Sequence, residues 1–225
     1  MSGDAGQLLE QLSDELAAVE EAIRSHRFLA LLEEGGVPRE RLGAFAGEQS
    51  VIIASDRRAF AQLAARFPQP PAGDVFLTLA QGEGEALAQL RRLARWLLLE
   101  EHDLRDYGPQ PGAQAYTAFV AWLALNGSRS DVAAAFLANL AAWAANCARM
   151  AGALRGRYQA PDEAVAFFEF FARPAPDLEQ GMLAVLDAGL AGGDSAQHAR
   201  HAARLLQAYE LLFWDTLAAG LERTE

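Results

Sequence analysis

The sequence predicts an all-α protein, a single domain built as a bundle of seven to eight helices. Three observations carry that expectation. Apolar residues recur at three- and four-residue steps through almost the whole chain. No stretch alternates apolar and polar residues at the period of a strand, and the breaks between helical segments are short and built from Pro and Gly.

The segments follow in order. "GQLLEQLSDELAAVEEAIRSHRFLALLEE" reads as one amphipathic helix with acids on its polar side, ended by Gly35-Gly36. Pro38 opens the second, which runs through "RLGAFAGEQSVIIASDRRAFAQLAARF" to the stop "PQPP" at 68–71. A third spans 73–106, with Asp74 as its N-cap and "DYGPQPG" after it. "AQAYTAFVAWLALNG" is the fourth and ends at Asn126-Gly127. The fifth is "SRSDVAAAFLANLAAWAANCARMAGALRGRY". "DEAVAFFEFFA" follows Pro161 as a short sixth and breaks at "RPAP". "DLEQGMLAVLDAGLA" is the seventh, closed by Gly192-Gly193, and the eighth starts at Asp194 and runs toward the C-terminus. No repeat and no linker divides residues 1–225.

Composition narrows the function classes. A chain of 225 residues suffices for one sizeable core. Its net charge of −11, with all 19 basic residues arginine and none in a run longer than two, excludes a phosphate-backbone partner such as nucleic acid. The single Cys147 excludes an internal disulfide and a cysteine-built zinc site. "MSGDAGQLLEQLSDEL" lacks the basic-then-apolar pattern of a signal peptide, and charges interrupt each apolar segment before a span of ~20 residues. The expectation is a cytoplasmic protein with no membrane contact.

One residue breaks the apolar pattern. In "AARLLQAYELLFWDTL", Glu210 stands three, four or seven residues from Leu206, Phe213, Trp214 and Leu217, which puts a carboxylate inside a core stripe. An acid so placed must be neutral, paired or functional.

Four pieces of the chain carry a family resemblance. "SHRFLALLEEGGVPRERLGAFAGEQ", "PGAQAYTAFVAWLALNGS", "ANLAAWAANCARMAGAL" and "YELLFWDTL" occur in the order and spacing of the TenA (thiaminase II) branch of the heme-oxygenase-like bundles, which also contains PqqC. The resemblance covers roughly residues 20–220. It implies a homodimer or homotetramer and a central cavity for a small molecule. It also implies thiamin-related chemistry resting on a nucleophilic Cys, a nearby Asp, several Tyr and a C-terminal Glu. Carried onto this sequence, the Asp after Gln49 becomes Ser50 and the following Tyr becomes Ile53. With Trp143 fixing the register, the nucleophile becomes Ala141 and its companion Tyr becomes Ala145, and the Tyr of the sixth helix becomes Phe171. Only Glu210 is matched. Cys147 lies six residues beyond Ala141, about 240° round the helix, and does not replace the nucleophile. The resemblance therefore implies a largely apolar cavity contacted by Gln49, Ser50, Ile53, Tyr116, Ala141, Trp143, Ala145, Phe171 and Tyr209, with Glu210 as its acid–base group and no cofactor. The ligand expected there is a small organic molecule of the thiamin-related heteroaromatic type.

Two other readings stay open. Oxygen-activating bundles use Glu and His from several helices, and here Glu48, Glu101, His102, Asp194, His198 and His201 are ligand types for an iron-dependent redox enzyme. Against that, Asp194 as a helix cap followed by solvent-facing His accounts for the last three. The third reading is a catalytically silent relative with a regulatory or binding role and no DNA contact. Most aromatic residues read as core or oligomer contacts, with "FFEFF" as a subunit contact or cavity wall, and "GEGE" at 82–85 reads as a solvated face. No phosphate loop, Ser-His-Asp motif or nucleotide fingerprint is present.

Overall fold

The computed structural model describes residues 4–221, and every element in it is helical. All eight expected segments are present, two of them broken, so the described residues form ten helices. These are α1 (Asp4–Arg24), α2 (Arg27–Glu34), α3 (Arg39–Arg66), α4 (Ala72–Trp96) and α5 (Glu101–Arg105). After them come α6 (Pro111–Asn126), α7 (Arg129–Tyr158), α8 (Asp162–Ala172), α9 (Pro176–Ala191) and α10 (Ala196–Ala218).

The two breaks have local causes. The first expected helix stops at Arg24 because the His26 ring turns back and its Nδ1 accepts the Phe28 N–H at 3.2 Å, capping α2. The third stops at Trp96 because Leu98 takes a left-handed conformation, φ 64°. A reciprocal Glu100/Asp103 capping box then starts α5. Elsewhere the punctuation acts as expected. Gly35 closes α2 at φ 81°, and Ser128 caps α7 by accepting the Asp131 N–H at 3.1 Å. The cap of α10 is Ser195, which accepts the His198 N–H, and not the Asp194 expected from the sequence.

Helix α7 is the axis of the bundle. It packs against α1, α2, α6, α8, α9 and α10. Contrary to the expectation that charges interrupt every apolar segment, it is also long and apolar enough to cross a membrane, yet 56% of its most apolar stretch is buried inside the protein. Its small residues (Ala133, Ala134, Ala135, Ala142) let the neighbouring helices approach, and all four are fully buried.

The apolar interior is two clusters stacked end to end. One holds Phe28, Phe45, Phe167, Phe168 and Trp214, drawn from α2, α8 and the facing ends of α3 and α10. The other holds Leu12, Phe60, Phe76, Val120 and Met182, drawn from α1, α9 and the opposite ends of the long helices. Tyr116 and Val19 touch both clusters. The seam between the clusters is the waist of the bundle.

Candidate functional site

The waist is polar, and it is polar for the same reason on each long helix. On α3, Asp56 falls between Ile53 of one cluster and Ala59 of the other. On α4, Glu83 falls between Leu79 and Ala86, and on α7 Asn139 falls between Phe136 and Ala142. On α10, Glu210 and Gln207 fall between Leu206 and Phe213, and on α6 Tyr116 and Thr117 occupy the matching level. Five helices thus contribute one polar turn each to a common layer.

Glu210 is 3% exposed. Its Oε1 accepts the Trp214 indole N–H at 3.2 Å, one turn away on α10, and its Oε2 accepts from the Asn139 amide of α7. Burial pushes its carboxyl up to about 8; the Trp214 bond opposes that rise and the Glu20 charge adds to it. With its carboxyl near 8, the group is largely protonated at neutral pH.

Asp56, also 3% exposed, accepts from the Thr117 hydroxyl. Burial outweighs that bond and raises its carboxyl to about 7. Burial together with the Asp56 charge raises Glu83 well above the carboxylate range. This corrects the assignment of "GEGE" to a solvated face: Glu85 is exposed, while Glu83 turns inward beside Asp56. Tyr116 is the hub. Burial and the charges of Asp56, Glu210 and Glu83 all raise its phenol, so three carboxyls from three helices surround one ring. Tyr116 and Glu83 are half-buried as residues, while the phenol and the carboxyl themselves are desolvated.

The other expected contacts divide. Trp143 packs its ring 5.9 Å from Trp214, 5.7 Å from Phe171 and 6.2 Å from Phe213. These rings pack round the Trp214 indole that donates to Glu210, toward α8. Ile53 is 1% exposed in the core, and Gln49 is buried on the same helix. The Ser50 hydroxyl donates to the Gly47 carbonyl at 2.7 Å and faces α5. Tyr209 leaves the waist altogether and lies 5.4 Å from Phe119 on the outer side of α6. Ala141 is exposed, and both it and Ala145 sit about 160° round α7 from a residue of the inward pair Asn139 and Trp143. The α7 residue that meets Glu210 is Asn139, an amide.

The six ligand-type residues do not converge. Glu48 is fully buried but occupied, accepting from the Tyr107 hydroxyl at 2.9 Å, the Gln110 N–H at 2.8 Å and the Gln114 amide. Asp194 accepts from the Ser130 hydroxyl at 2.9 Å. The Glu101, His102, His198 and His201 side chains are exposed, the first beside Arg91 and the last beside Gln197. Among the described residues no three His, Cys, Asp or Glu side chains are placed to hold a metal ion. The Cys147 thiol is wholly buried and pushed well above its ordinary value by burial and by Glu210, so it offers no thiolate. Two clefts, of about 300 Å³ beside Gln7 and Leu190 and about 220 Å³ beside Arg27 and Glu34, lie away from Glu210.

A family model described as TENA/THI-4/PQQC matches residues 13–219. The chain belongs to that family. No curated relative matches this TenA-family chain significantly. Among solved structures, it is similar to a TenA homologue from Pyrococcus horikoshii, 18% identical, with a TM-score of 0.76 over 93% of this chain and 97% of that one. It is similar to a TenA homologue from Pseudomonas syringae, 14% identical, with a TM-score of 0.78 over 96% and 93%. A protein of heme oxygenase-like fold from Shewanella denitrificans matches at 10% identity, with a TM-score of 0.72 over 96% and 98%. At these identities the likeness concerns the fold, which is the heme-oxygenase-like bundle expected from the sequence.

Proposed function

We propose that this TenA-family protein takes a small organic molecule with a basic nitrogen, of the thiamin-related heteroaromatic type, at the polar waist, and that Glu210 and Asp56 exchange protons with it. The observation that supports this most is the setting of Tyr116. Three desolvated carboxyls from three helices act on one phenol, so a basic group brought to that level gains a charge partner that none of them finds in water. Carboxyls held at about 7 and about 8 both give and take protons at neutral pH, the condition general acid–base work needs. Displacement by a thiolate has no support, because Cys147 is buried and raised and an amide faces Glu210.

The test is calorimetric titration and native mass spectrometry of the full chain with thiamin and with its aminomethyl-pyrimidine derivative, followed by an ammonia-release assay on the latter. Stoichiometric binding that Asp56→Asn and Glu210→Gln each weaken tenfold or more, with circular dichroism unchanged, is the expected result. Absence of binding by the folded wild type at millimolar ligand overturns the reading.

A further inference from the structure

We infer that residues 99–107, helix α5 with its flanking turns, are a flap that swings off α3 about Leu98 and Gly108 to admit a small molecule, with Tyr107 as its latch. That the molecule goes on to the waist rests on the reading proposed above; the flap itself does not. A passage is called for because Asp56 and Glu210 are each 3% exposed and the two clefts lie away from Glu210. Some element must move, and the elements differ in what movement costs.

The cost is lowest at α5. Every other helix places buried residues in the interior, and α5 places none. No residue from Arg95 to Gly112 is buried, the longest such run among the described residues. A segment with so few buried contacts opens locally, far below the free energy of global unfolding. Within the flap only Leu99, Leu104 and Tyr107 turn inward, and each is half-buried. Both ends suit a hinge. Leu98 holds its left-handed φ of 64° where α4 has stopped, with its side chain 85% exposed. A Cβ at Gly108 would meet nothing within 4 Å, so that turn has room to rotate.

The seat of the flap is built for close approach. Gly43, Gly47 and Ser50 follow at steps of four and three on one face of α3, and each meets the flap. Leu99 lies over Gly43, with its Cδ1 3.7 Å from where a Cβ would stand. The Ser50 hydroxyl sits between the Gly47 and Leu104 carbonyls, at 2.7 and 3.4 Å. A Cβ at Gly47 would collide with the Tyr107 ring, so that ring rests directly on the backbone of α3. Its hydroxyl donates to Glu48 Oε1 at 2.9 Å. Burial, and then that bond, push the phenol up to about 12, so it stays a donor.

The latch can let go without disturbing what lies beyond the hinge. Glu48 also accepts from the Gln110 N–H and the Gln114 amide, both past Gly108. When Tyr107 leaves, two donors remain on this carboxyl and water takes the third place. Helix α6 stays anchored, with Tyr116 and Thr117 at the waist.

Thiol labelling of the full chain by a disulfide reagent tests the flap. Ser50→Cys supplies a probe beneath it, and the wholly buried Cys147 gauges global unfolding in the same molecule. The introduced thiol should label at least tenfold faster than Cys147. Adding Tyr107→Phe should speed it roughly tenfold further, and adding Gly47→Ala by more, with circular dichroism unchanged and Cys147 slow throughout. Gly43→Cys with Leu99→Cys, bridged by oxidation, should hold the flap shut and slow thiamin association at least tenfold relative to the reduced form. Labelling at the rate of Cys147, labelling indifferent to Tyr107→Phe, or thiamin entering the oxidised pair as fast as the reduced one each overturns the proposal. A wild type that binds no thiamin yet labels as expected supports the flap and removes the ligand reading.

Discussion

Replacing Glu210 by Gln should remove a pH dependence of stability that this one side chain imposes. Its carboxyl titrates at about 8 in the fold and at its ordinary 4.5 when the chain unfolds. The folded state therefore holds a proton that the unfolded state releases between those values, and stability falls as pH rises through that window. The loss runs at about 1.4 kcal/mol per pH unit and comes to about 2.5 kcal/mol between about pH 5 and pH 7. Below 4.5 both states are protonated and the contribution is flat. Asp56 titrates in the same sense, but it does so in wild type and in Glu210→Gln alike, so the difference between the two proteins isolates Glu210. Urea denaturation of both proteins at half-unit steps of pH measures that difference. The amide should become the more stable partner progressively with rising pH, by about 2.5 kcal/mol over the interval. A difference that stays constant across the interval would refute the claim that burial holds this acid protonated.

Two further outcomes test the rest of the waist. Thr117→Val removes the one hydroxyl donating to Asp56, so it should destabilise the protein by about 1–3 kcal/mol, more at pH 8 than at pH 5, because only the ionised acid needs the donor; denaturation at both values checks it. Cys147 should stay unlabelled by a disulfide reagent in the native protein at pH 8 and react fully in denaturant, whereas rapid native labelling would show an accessible thiolate that the structure does not contain.

Glu210 was legible in the sequence because an acid at helical spacing from Phe213 and Trp214 has no ordinary reason to be there. The same signal was available at Asp56, where "IIASDRRAF" sets Ile52, Ile53, Ala59 and Phe60 three and four residues to either side. The two arginines after it make the stretch look solvated. Glu83 gave no such signal, since the glycines of "GEGE" mask the stripe and only the packing of α4 on α3 shows which of two acids turns inward. Asn139 was hidden by the register: Trp143 fixed it one way, and the side of α7 that meets α10 is a fact of helix rotation that one helix alone does not encode.

What the sequence determined by itself was local. Period, caps and Pro or Gly breaks are written within a few residues of where they act, so the eight segments, their order and most of their ends could be read from the chain. The tertiary structure alone decided that the polar turns of five helices fall at one level between two apolar clusters, that Glu48 is occupied by Tyr107, Gln110 and Gln114, and that Tyr209 faces outward. The physical reason is that these depend on the axial offset and rotation of helices against one another. Those are set by the summed packing of many side chains distant in sequence, a quantity no single segment carries.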